Sequence, residues 1–468
     1  MQIRFINRSK EIQYLDKMHK KNEFQFIIMH GRRRIGKTRL LEEFCQGKRS
    51  LFLVADESEE EILYKRFYQE TTQNFENQSF LFEKKEDFFD YLGKKALEEK
   101  TIIIFDEFQY LMKTDPSITS VLQRLIDKNW NKTQMQLILC GSEIRMMEEL
   151  FAYNNPLHGR RTGQWAVKPF GIEEISLCFP QLSILDLSNI YFSFGGTPAY
   201  LKHYNPDVSF WENVESSILQ KGSFLYNEPA LLLRMEFKEI QRYWAILTIL
   251  SQGVTRLTDI ANKTNIDART LPSYLNNLIA VEFIKKIVPV GTKRENSKHT
   301  LYKVSDHFLG FWFSYITKNI TLLELERTEH VLKNIKKDWN HYIGRLFEDL
   351  VLEILLKKPL YDNLPIVCNE IGSWWNKSLE IDIVGIDNSE KKSAIFIECK
   401  YGKKHSREKL LENLEEKVLM SPWKKIKKKY LGIVTNGFLD PGEGGITFEE
   451  LWEKGFKEEK KLNFLIER

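Results

Sequence analysis

Residues 31–38 read Gly-Arg-Arg-Arg-Ile-Gly-Lys-Thr and follow the apolar run Phe24–Met29. A buried strand, a loop ending in Gly-Lys-Thr and an amphipathic helix beginning at Arg39–Phe44 are the successive parts of a G-x-x-x-x-G-K-[ST] phosphate-binding loop. Gly31 and Gly36 let the backbone turn tightly, so that its N–H groups can approach phosphate oxygens at a helix N-terminus. The stretch therefore predicts a nucleotide-binding α/β domain.

The side chains of this loop predict ATP and Mg²⁺ as cofactors. The Lys37 ammonium reaches the β- and γ-phosphates, and the Thr38 hydroxyl is a ligand of Mg²⁺. A chance turn of Gly and Lys on a basic surface is the alternative, but strand, loop and helix follow in the required order. We predict nucleotide contacts along the whole loop: Gly31, Arg32, Arg33, Arg34, Ile35, Gly36, Lys37, Thr38 and Arg39.

Two later strands end in polar residues suited to hydrolysis. The stretch Thr101–Gln109 is apolar up to Asp106, which is placed to hold Mg²⁺ through water, and Glu107, which is placed to polarise the water that attacks the γ-phosphate. An acidic pair can also begin a helix, although this reading is weaker beside a phosphate loop. The strand Gln136–Cys140 is followed by Ser142, a candidate sensor of the γ-phosphate, but Gly-Ser is also ordinary turn chemistry.

The composition narrows the class of protein. A chain of 468 residues predicts two to four domains, and 42% hydrophobic with 29% charged residues suits packed domains in water. A net charge of +4 is too small to prove a nucleic-acid partner. The five cysteines are scattered, which favours reduced thiols. With no apolar leader and no run of about 20 apolar residues, we expect a cytoplasmic protein with no membrane partner.

The fold class expected is a multidomain α/β protein, beginning with a P-loop core over residues 1–170. Its strands alternate with helices, which predicts a parallel sheet covered on both faces. Residues 171–227 are predicted to form a helical lid broken at Phe194–Ala199. The predicted strands are Phe24–Met29, Ser50–Ala55, Ile102–Phe105, Gln136–Cys140 and Trp165–Val167.

Residues 228–315 predict a winged helix-turn-helix. Three helices (Tyr243–Gln252, Leu257–Thr264 and Thr270–Ala280) precede two strands, Phe283–Val290 and Thr300–Val304. Because proline breaks a helix interior, we place Pro272 in the first turn of the third helix, with Thr270 as its cap.

The predicted winged helix carries residues suited to DNA. The exposed recognition face is predicted to comprise Arg269, Ser273, Asn276 and Asn277. The turn between the strands would be a basic wing for backbone phosphates, with Lys293, Arg294, Lys298 and His299. DNA is therefore the expected partner.

Residues 316–337 are predicted to be a helical connector, and residues 338–468 a second α/β domain. This domain contains a helix at Tyr342–Leu356, strands near Glu380–Val384, Ala394–Cys399 and Tyr430–Val434, and a very basic stretch, Lys403–Lys429.

Two of its strands carry charged residues at alternate positions. Side chains two apart share a face of a strand, so pairing the strands as a hairpin brings Asp382 near Glu398 and Lys400 on an outward face. Two carboxylates and an ammonium are suited to metal-assisted phosphodiester hydrolysis, with Glu348 as a third carboxylate. The alternative is an exposed sheet face carrying Glu–Lys pairs of little energetic value.

Several motifs together resemble archaeal-type P-loop ATPases of the AAA+/STAND group, which often have a winged helix and a C-terminal domain of the PD-(D/E)xK nuclease type. The motifs are GRRRIGKT, FDEFQYL, LILCGSEI, NPLHGRRTG and SFGGTPAYL. The resemblance implies that Lys37 and Thr38 contact the nucleotide and Mg²⁺, that Asp106 and Glu107 form the second ATPase motif, and that Ser142 is the first sensor.

The resemblance also implies further site residues. Arg160 or Arg161 would contact the γ-phosphate of a neighbouring subunit in a homo-oligomer, with surface ion pairs as the equal alternative. Asp382, Glu398 and Lys400 would be the catalytic nuclease residues, Asp382 and Glu398 with Glu348 holding the metal. Where the nuclease pattern has Pro-Asp, this chain has Ile381-Asp382.

Three functions remain open at this point. In the first, the chain is an ATP-hydrolysing, DNA-binding enzyme with a fused Mg²⁺-dependent nuclease. In the second, it is a non-cleaving ATP-dependent switch whose C-terminal domain only binds nucleic acid or protein. In the third, its winged helix serves only to pack against protein. The polar recognition face favours DNA over the third, and an intact Asp382, Glu398 and Lys400 favours the first over the second.

Overall fold

The computed structural model describes residues 5–76, 81–292, 299–387, 393–456 and 464–468. These divide into two compact units. Unit 1 comprises Met1–Pro180, Gly196–Tyr204 and Ala280–Glu282, and unit 2 comprises Gln181–Gly195, Asn205–Ile279 and Phe283–Arg468. The predicted division into five segments is finer than this and stays a prediction.

The first half of the described chain alternates helices and strands. Its elements are α1 (Ser9–His19), β1 (Gln25–His30), α2 (Lys37–Cys45), β2 (Ser50–Val54), α3 (Glu60–Glu76), α4 (Lys85–Glu98), β3 (Ile102–Asp106), α5 (Phe108–Thr114), α6 (Ile118–Lys128), β4 (Gln136–Gly141), α7 (Ile144–Glu149), β5 (Gly163–Ala166), α8 (Ile172–Cys178), α9 (Ile184–Phe194), α10 (Pro198–Leu201) and α11 (Phe210–Val214), with a π-helical turn at Glu215–Leu219.

The second half begins with helices and ends in a mixed sheet. Its elements are α12 (Glu228–Glu236), α13 (Ile240–Ser251), α14 (Leu257–Thr264), α15 (Leu271–Ala280), β6 (Ile284–Ile287), β7 (Leu301–Val304), α16 (His307–Glu324), α17 (Thr328–Leu355), α18 (Lys358–Tyr361), β8 (Glu370–Trp375), β9 (Glu380–Asp387), β10 (Ser393–Lys400), α19 (Arg407–Met420), β11 (Lys428–Thr435), β12 (Gly445–Thr447), α20 (Phe448–Phe456) and β13 (Ile466–Glu467).

Unit 1 contains a parallel sheet with the strand order β2-β3-β4-β1-β5. Alternate residues of each strand enter two different cores: Phe26 and Phe105 pack with α3 to α6, whereas Ile27 and Ile104 pack with α1 and α2. The predicted parallel sheet with helices on both faces is therefore confirmed, and the five predicted strands lie within two residues of those observed.

Unit 2 contains the three predicted helices, α13 to α15, followed by the antiparallel pair β6 and β7. Pro272 is the second residue of α15, as expected from its missing N–H. Thr270 is not the predicted cap, because its hydroxyl donates to the Asp267 carbonyl at 3.1 Å. Strand β6 ends earlier than predicted because Val290 leaves the pair and donates its N–H to the Ser373 carbonyl at 3.1 Å.

The predicted connector over residues 316–337 is helical as expected, but its bounds do not coincide with those of the helices. Its two ends fall inside α16 and α17, so neither of them is a domain boundary. Helix α16 begins with the buried side chains Phe308, Phe311 and Trp312, and becomes polar only in its second half. The change in composition marks the surface end of one helix, and the chain turns later, at Glu326, whose φ of 58° is left-handed.

The C-terminal part of unit 2 is a mixed sheet with the order β12-β11-β10-β9-β8, and β13 pairs with β11. Strands β9 and β10 form the predicted antiparallel hairpin, in which Ile383 lies opposite Ile397. Helix α19 packs on one face through Leu411, Leu414 and Val418. In the part of the chain that the structure describes, no helix has the length and apolarity required to cross a membrane.

Candidate functional site

The two glycines of the phosphate loop, residues 31–38, are required for different reasons. Gly36 has a φ of 86° at the start of α2, which is left-handed backbone that glycine adopts without strain. A Cβ on Gly31 would lie 2.4 Å from the Val167 carbonyl oxygen and 2.7 Å from Ile35 Cδ1. Any larger residue at position 31 would therefore push the loop away from the end of β5.

The loop places the predicted phosphate and metal contacts at the end of β3. Lys37 is buried, and its ammonium donates to the carbonyl oxygens of Gly31 and Arg32, both at 2.9 Å. The Thr38 hydroxyl donates to Asp106 Oδ2 at 2.6 Å, which joins α2 to β3. Hydroxyl and carboxylate oxygens are the hard ligands that Mg²⁺ prefers, so this pair fits the predicted ion.

Glu107 is held in place by two neighbours. Its Oε2 accepts from the Ser142 hydroxyl at 2.6 Å and from Gln109 Nε2 at 2.5 Å. Gln109 Nε2 also donates to Ser142 Oγ at 3.0 Å, and Gln109 Oε1 accepts from the Ser142 N–H at 3.2 Å. The predicted base and the predicted sensor therefore meet through a third, fully buried side chain, Gln109.

These contacts affect the charge of Glu107. Burial acts to raise its pKa, but hydrogen bonds from Ser142 and Gln109, together with the charge of Lys37, outweigh burial, and the pKa of Glu107 lies below its ordinary value. Its φ of 52° is also left-handed, an uncommon conformation for glutamate. An ionised carboxylate is thus fixed beside the Thr38–Asp106 pair.

Sequence reasoning missed the role of Gln109. The available signal was a polar residue two positions beyond Glu107, in a segment that is otherwise apolar or aromatic. Its significance depends on Ser142, which lies 33 residues away in the chain and directly follows the adjacent strand β4. Only the pairing of β3 with β4 brings these side chains together.

A cavity of about 400 Å³ lies beside the phosphate loop within unit 1. Its walls include Phe5 and Ile6, which precede α1, and the loop residues from Arg34 to Arg39. Arg8 joins the two, because its guanidinium donates to the Ile35 carbonyl at 2.9 Å and lies over the Phe170 ring at 4.6 Å. The remaining lining residues are Glu107, Cys178, Pro198, Ala199, Leu201 and Lys202.

The predicted break in the lid helps to shape this cavity. The Phe170 N–H donates to the Gly196 carbonyl at 2.7 Å. A Cβ on Gly196 would lie 1.8 Å from the Phe170 carbonyl oxygen, so only glycine allows this approach. The close contact directs Pro198 and Leu201, the two ends of α10, to the cavity wall.

Three of the predicted arginines make the following contacts with other side chains. Arg160 donates to both carboxylate oxygens of Asp127, at 2.8 and 2.7 Å, which is the surface ion-pair alternative. Arg161 lies over the Phe151 ring at 4.4 Å. Arg33 donates to the Tyr110 hydroxyl at 3.1 Å. Contact of Arg160 or Arg161 with a neighbouring subunit stays a prediction.

The second predicted constellation also comes together, in unit 2. The Lys400 ammonium lies 2.7 Å from Glu398 Oε1 and 3.7 Å from Asp382 Oδ2. Asp382 Oδ2 in addition accepts from the Cys399 N–H at 2.7 Å. We refer to Asp382, Glu398 and Lys400 as the C-terminal cluster.

The prediction that this cluster faces outward is wrong. Only 4% of Asp382 and 5% of Glu398 is exposed, since α19 covers the sheet face that carries them. From α19, the Lys417 ammonium donates to both oxygens of Glu398, at 2.8 and 2.7 Å. Sequence reasoning missed this contact, since Lys417 is one of many lysines in the basic stretch.

Glu348, on α17, lies close enough to Asp382 for their charges to interact. Burial and the Asp382 carboxylate raise the pKa of Glu348 to about 8, and burial and Glu398 raise the pKa of Asp382 to about 6. Two carboxylates that resist ionisation together fit one divalent cation, because Mg²⁺ is often held by only one or two protein carboxylates and waters. Among the described residues, no three His, Cys, Asp or Glu side chains form a ready ligand set.

The predicted DNA-binding face is partly as expected. Arg269, Ser273 and Asn276 are exposed on or beside α15. Asn277 is not available in the same way, because its Nδ2 donates to the Tyr243 hydroxyl at 2.6 Å and ties α15 to α13.

The predicted wing is only partly described. Lys293, Arg294 and Lys298 lie outside the described residues. Next to them, the His299 carbonyl accepts from Trp375 Nε1 at 3.0 Å, and Val290 packs in the core of the C-terminal sheet. The base of the wing thus packs against β8, a strand that the sequence did not predict.

Comparisons with known proteins agree with the geometry of unit 1. Residues 5–204 match the model of an ATPase domain predominantly from Archaea, and residues 312–413 match a model of archaeal and bacterial proteins of unknown function. The uncharacterized ATP-binding protein MJ0423 of Methanocaldococcus jannaschii is 38% identical over 47 residues, which are 10% of this chain and 80% of that protein.

One solved structure with a similar chain is the Walker-type ATPase PABY2304 of Pyrococcus abyssi, at 20% identity and a TM-score of 0.48 over 66% of this chain and 96% of that one. The uncharacterized protein MJECL04 of M. jannaschii is 33% identical over 398 residues, which cover 85% of this chain and 87% of that protein. The chain therefore belongs to the same family as MJECL04, and it carries its phosphate loop within a region that matches an ATPase domain predominantly from Archaea.

Proposed function

We propose that the chain hydrolyses ATP at the phosphate loop with Glu107 as the residue that activates water. The observation that carries this proposal is the position of Glu107, whose ionised carboxylate is fixed by Ser142 and Gln109 next to the Thr38–Asp106 pair. A carboxylate at this position can orient a water molecule in line with the γ-phosphate.

The other residues of the site have separate tasks. Lys37 supplies the positive charge for the β- and γ-phosphates once it exchanges the carbonyl oxygens of Gly31 and Arg32 for phosphate oxygens. Thr38 directly, and Asp106 through water, would hold Mg²⁺, which neutralises charge that develops on the phosphates. The apolar wall at Phe5 and Ile6 is suited to the face of a nucleotide base.

Replacement of Gln109 by Leu tests whether Gln109 holds the Glu107 carboxylate in position for hydrolysis. We expect the rate of hydrolysis at saturating ATP to fall about 10- to 100-fold, because a carboxylate displaced by about 1 Å orients water poorly. The dissociation constant for ATP should stay unchanged, since Gln109 contacts Glu107 and Ser142 and is not part of the loop. Phosphate release and binding of a fluorescent ATP analogue measure the two quantities.

The matched control is Gln13→Leu, the same substitution at an exposed position of α1. It should retain the parental rate and affinity. If Gln109→Leu weakens ATP binding as much as it slows hydrolysis, Gln109 supports the whole site and not Glu107 in particular.

The partner that we propose is DNA, bound by a winged helix formed by α13 to α15 with β6 and β7. The exposed Arg269, Ser273 and Asn276 support this role, since they offer a guanidinium, a hydroxyl and an amide on or beside α15. Packing of the Val290 and His299 ends of the wing against β8 favours the alternative, in which the hairpin serves contacts within the protein.

Alanine at Lys293, Arg294 and Lys298 distinguishes these alternatives. We expect DNA affinity to fall about equally for all sequences and its dependence on salt to weaken by up to about three phosphate contacts. Alanine at the exposed Lys333, Lys336 and Lys337 of α17 removes the same charge and should have little effect. Equal salt slopes for wild type and the wing variant, measured by fluorescence anisotropy, would assign the hairpin to protein packing.

A second candidate function is metal-dependent cleavage of phosphodiester bonds in unit 2. The observation that favours it is the Lys400 ammonium, which lies between the buried carboxylates of Asp382 and Glu398 at the ends of two paired strands. Asp382 and Glu398, with Glu348 nearby, would hold Mg²⁺, and Lys400 would orient water or stabilise charge on the phosphate. Exposed lysines of the 403–429 stretch would guide the nucleic-acid backbone.

The competing proposal for unit 2 is a non-cleaving module of an ATP-dependent switch. Both carboxylate oxygens of Glu398 are ion-paired, Oε1 with Lys400 and Oε2 with Lys417, as expected of a cluster with a structural role. Cleavage assays on the C-terminal cluster variants separate the two proposals.

A further inference from the structure

Lys417 contacts both carboxylate oxygens of the proposed metal ligand Glu398. Its ammonium lies 2.8 Å from Glu398 Oε1 and 2.7 Å from Glu398 Oε2. The ammonium of Lys400 also contacts Oε1, at 2.7 Å. The backbone of Lys417 is held in position, because the neighbouring Leu414 and Val418 of α19 pack in the core of the sheet. Ser406 caps the helix by accepting from the Lys409 N–H.

These contacts place two positive charges beside one carboxylate. The ammonium groups of Lys400 and Lys417 both lie within 4 Å of Glu398, and Lys400 also lies 3.7 Å from Asp382 Oδ2. Both oxygens of Glu398 already accept a hydrogen bond from an ammonium. A divalent cation on the same carboxylate would be repelled by that ammonium, and repulsion is strong where burial lowers the effective dielectric constant.

We propose that Lys417 is a built-in competitor of the divalent cation at Glu398, so that the site binds metal weakly as long as Lys417 occupies the carboxylate. This inference rests on the proposed metal site of unit 2. The side chain of Lys417 is suited to leave, since it is 27% exposed and ends a flexible four-carbon chain, whereas Glu398 is fixed within β10.

Removal of the ammonium is the test. We expect Lys417→Gln to bind Mn²⁺ about 10- to 100-fold more tightly than the wild-type chain. In the wild type, Mn²⁺ must break the charge-assisted hydrogen bond between Lys417 and Glu398, and in the variant this cost is absent. Mn²⁺ binding to the full chain is measured by electron paramagnetic resonance without nucleotide, and the part that Asp382→Ala abolishes is assigned to this site. Lys417→Met, which keeps the carbon chain, serves if the Gln variant does not fold.

Two controls isolate the charge at this position. Lys417→Arg keeps the competitor and should bind Mn²⁺ as the wild type does. Lys409→Gln makes the same change at an exposed position of α19 and should also have no effect.

The possible outcomes distinguish competition by Lys417 from the existence of the metal site itself. Tighter binding by Lys417→Gln or Lys417→Met, abolished by Asp382→Ala, supports competition. Equal affinity of these variants and the wild type, still abolished by Asp382→Ala, overturns competition and leaves the metal site standing. Mn²⁺ binding that Asp382→Ala changes in neither background overturns the metal site itself, and the inference with it.

Discussion

Replacement of Glu107 by Gln is expected to slow ATP hydrolysis about 10²- to 10⁴-fold, the usual contribution of a general base. The carboxylate of Glu107 is ionised and fixed by hydrogen bonds from Ser142 and Gln109, and an amide of the same shape cannot accept a proton from water. ATP binding should persist, because Lys37, Thr38 and the backbone of the loop are unchanged. Phosphate release at saturating ATP and equilibrium binding give the two values.

The control for this prediction is Glu59→Gln, which makes the same substitution at an exposed residue of unit 1. It should hydrolyse ATP at the parental rate. A Glu107→Gln variant with the parental rate would show that another group activates the water.

The second large effect is expected in unit 2. Asp382→Ala should remove both the bound divalent metal and the cleavage of nucleic acid, because Asp382 is a proposed ligand buried beside Glu398. Lys400→Ala should keep the metal and lose cleavage about 10²- to 10³-fold, as when one group that stabilises the transition state is removed. Mn²⁺ binding and a gel assay on supercoiled, branched and single-stranded DNA measure these effects.

Both variants should retain ATP hydrolysis, since the phosphate loop belongs to unit 1. Lys403→Ala is the control for lost positive charge, because Lys403 is exposed three residues from Lys400. A wild-type chain that hydrolyses ATP but neither binds metal through Asp382 nor cleaves any of these substrates would make unit 2 a binding module. The ATP-dependent switch would then be the better description.

The sheet of unit 1 could be predicted from sequence because its information is local. Strands covered on both faces are continuous apolar runs, and Ile102–Phe105 and Gln136–Cys140 have no other plausible environment. The polar residues that end these strands meet at one edge because the strands are parallel. For the same reason, the proximity of Thr38, Asp106, Glu107 and Ser142 could be anticipated.

The residues that support these side chains could not be predicted. Lys417 is one of 69 lysines and arginines, and its position in the sequence gives no sign that α19 directs it to Glu398. The role of Gln109 depends on its contact with Ser142, which follows a different strand, β4. In both examples the information lies in tertiary packing.

The predicted domain boundary at residue 316, which falls inside α16, is incorrect for a related reason. A loss of apolar residues along a chain marks either the end of a domain or the point at which a helix reaches the surface. Phe308 and Trp312 at the start of α16 are buried, whereas Lys318 and Ile320 are not. Composition alone does not distinguish these cases, and the continuous hydrogen bonding of the helix does.

Whether residues 31–38 are an ATPase site is tested by phosphate release from ATP by the purified full chain, with Lys37→Ala as the blank for contaminating activity. Lys37→Ala removes the buried ammonium expected to pair with the β- and γ-phosphates. We predict hydrolysis that requires Mg²⁺ in the wild type, and neither hydrolysis nor ATP binding in the variant. Equal phosphate release and equal ATP affinity for the two proteins would contradict this function of the loop.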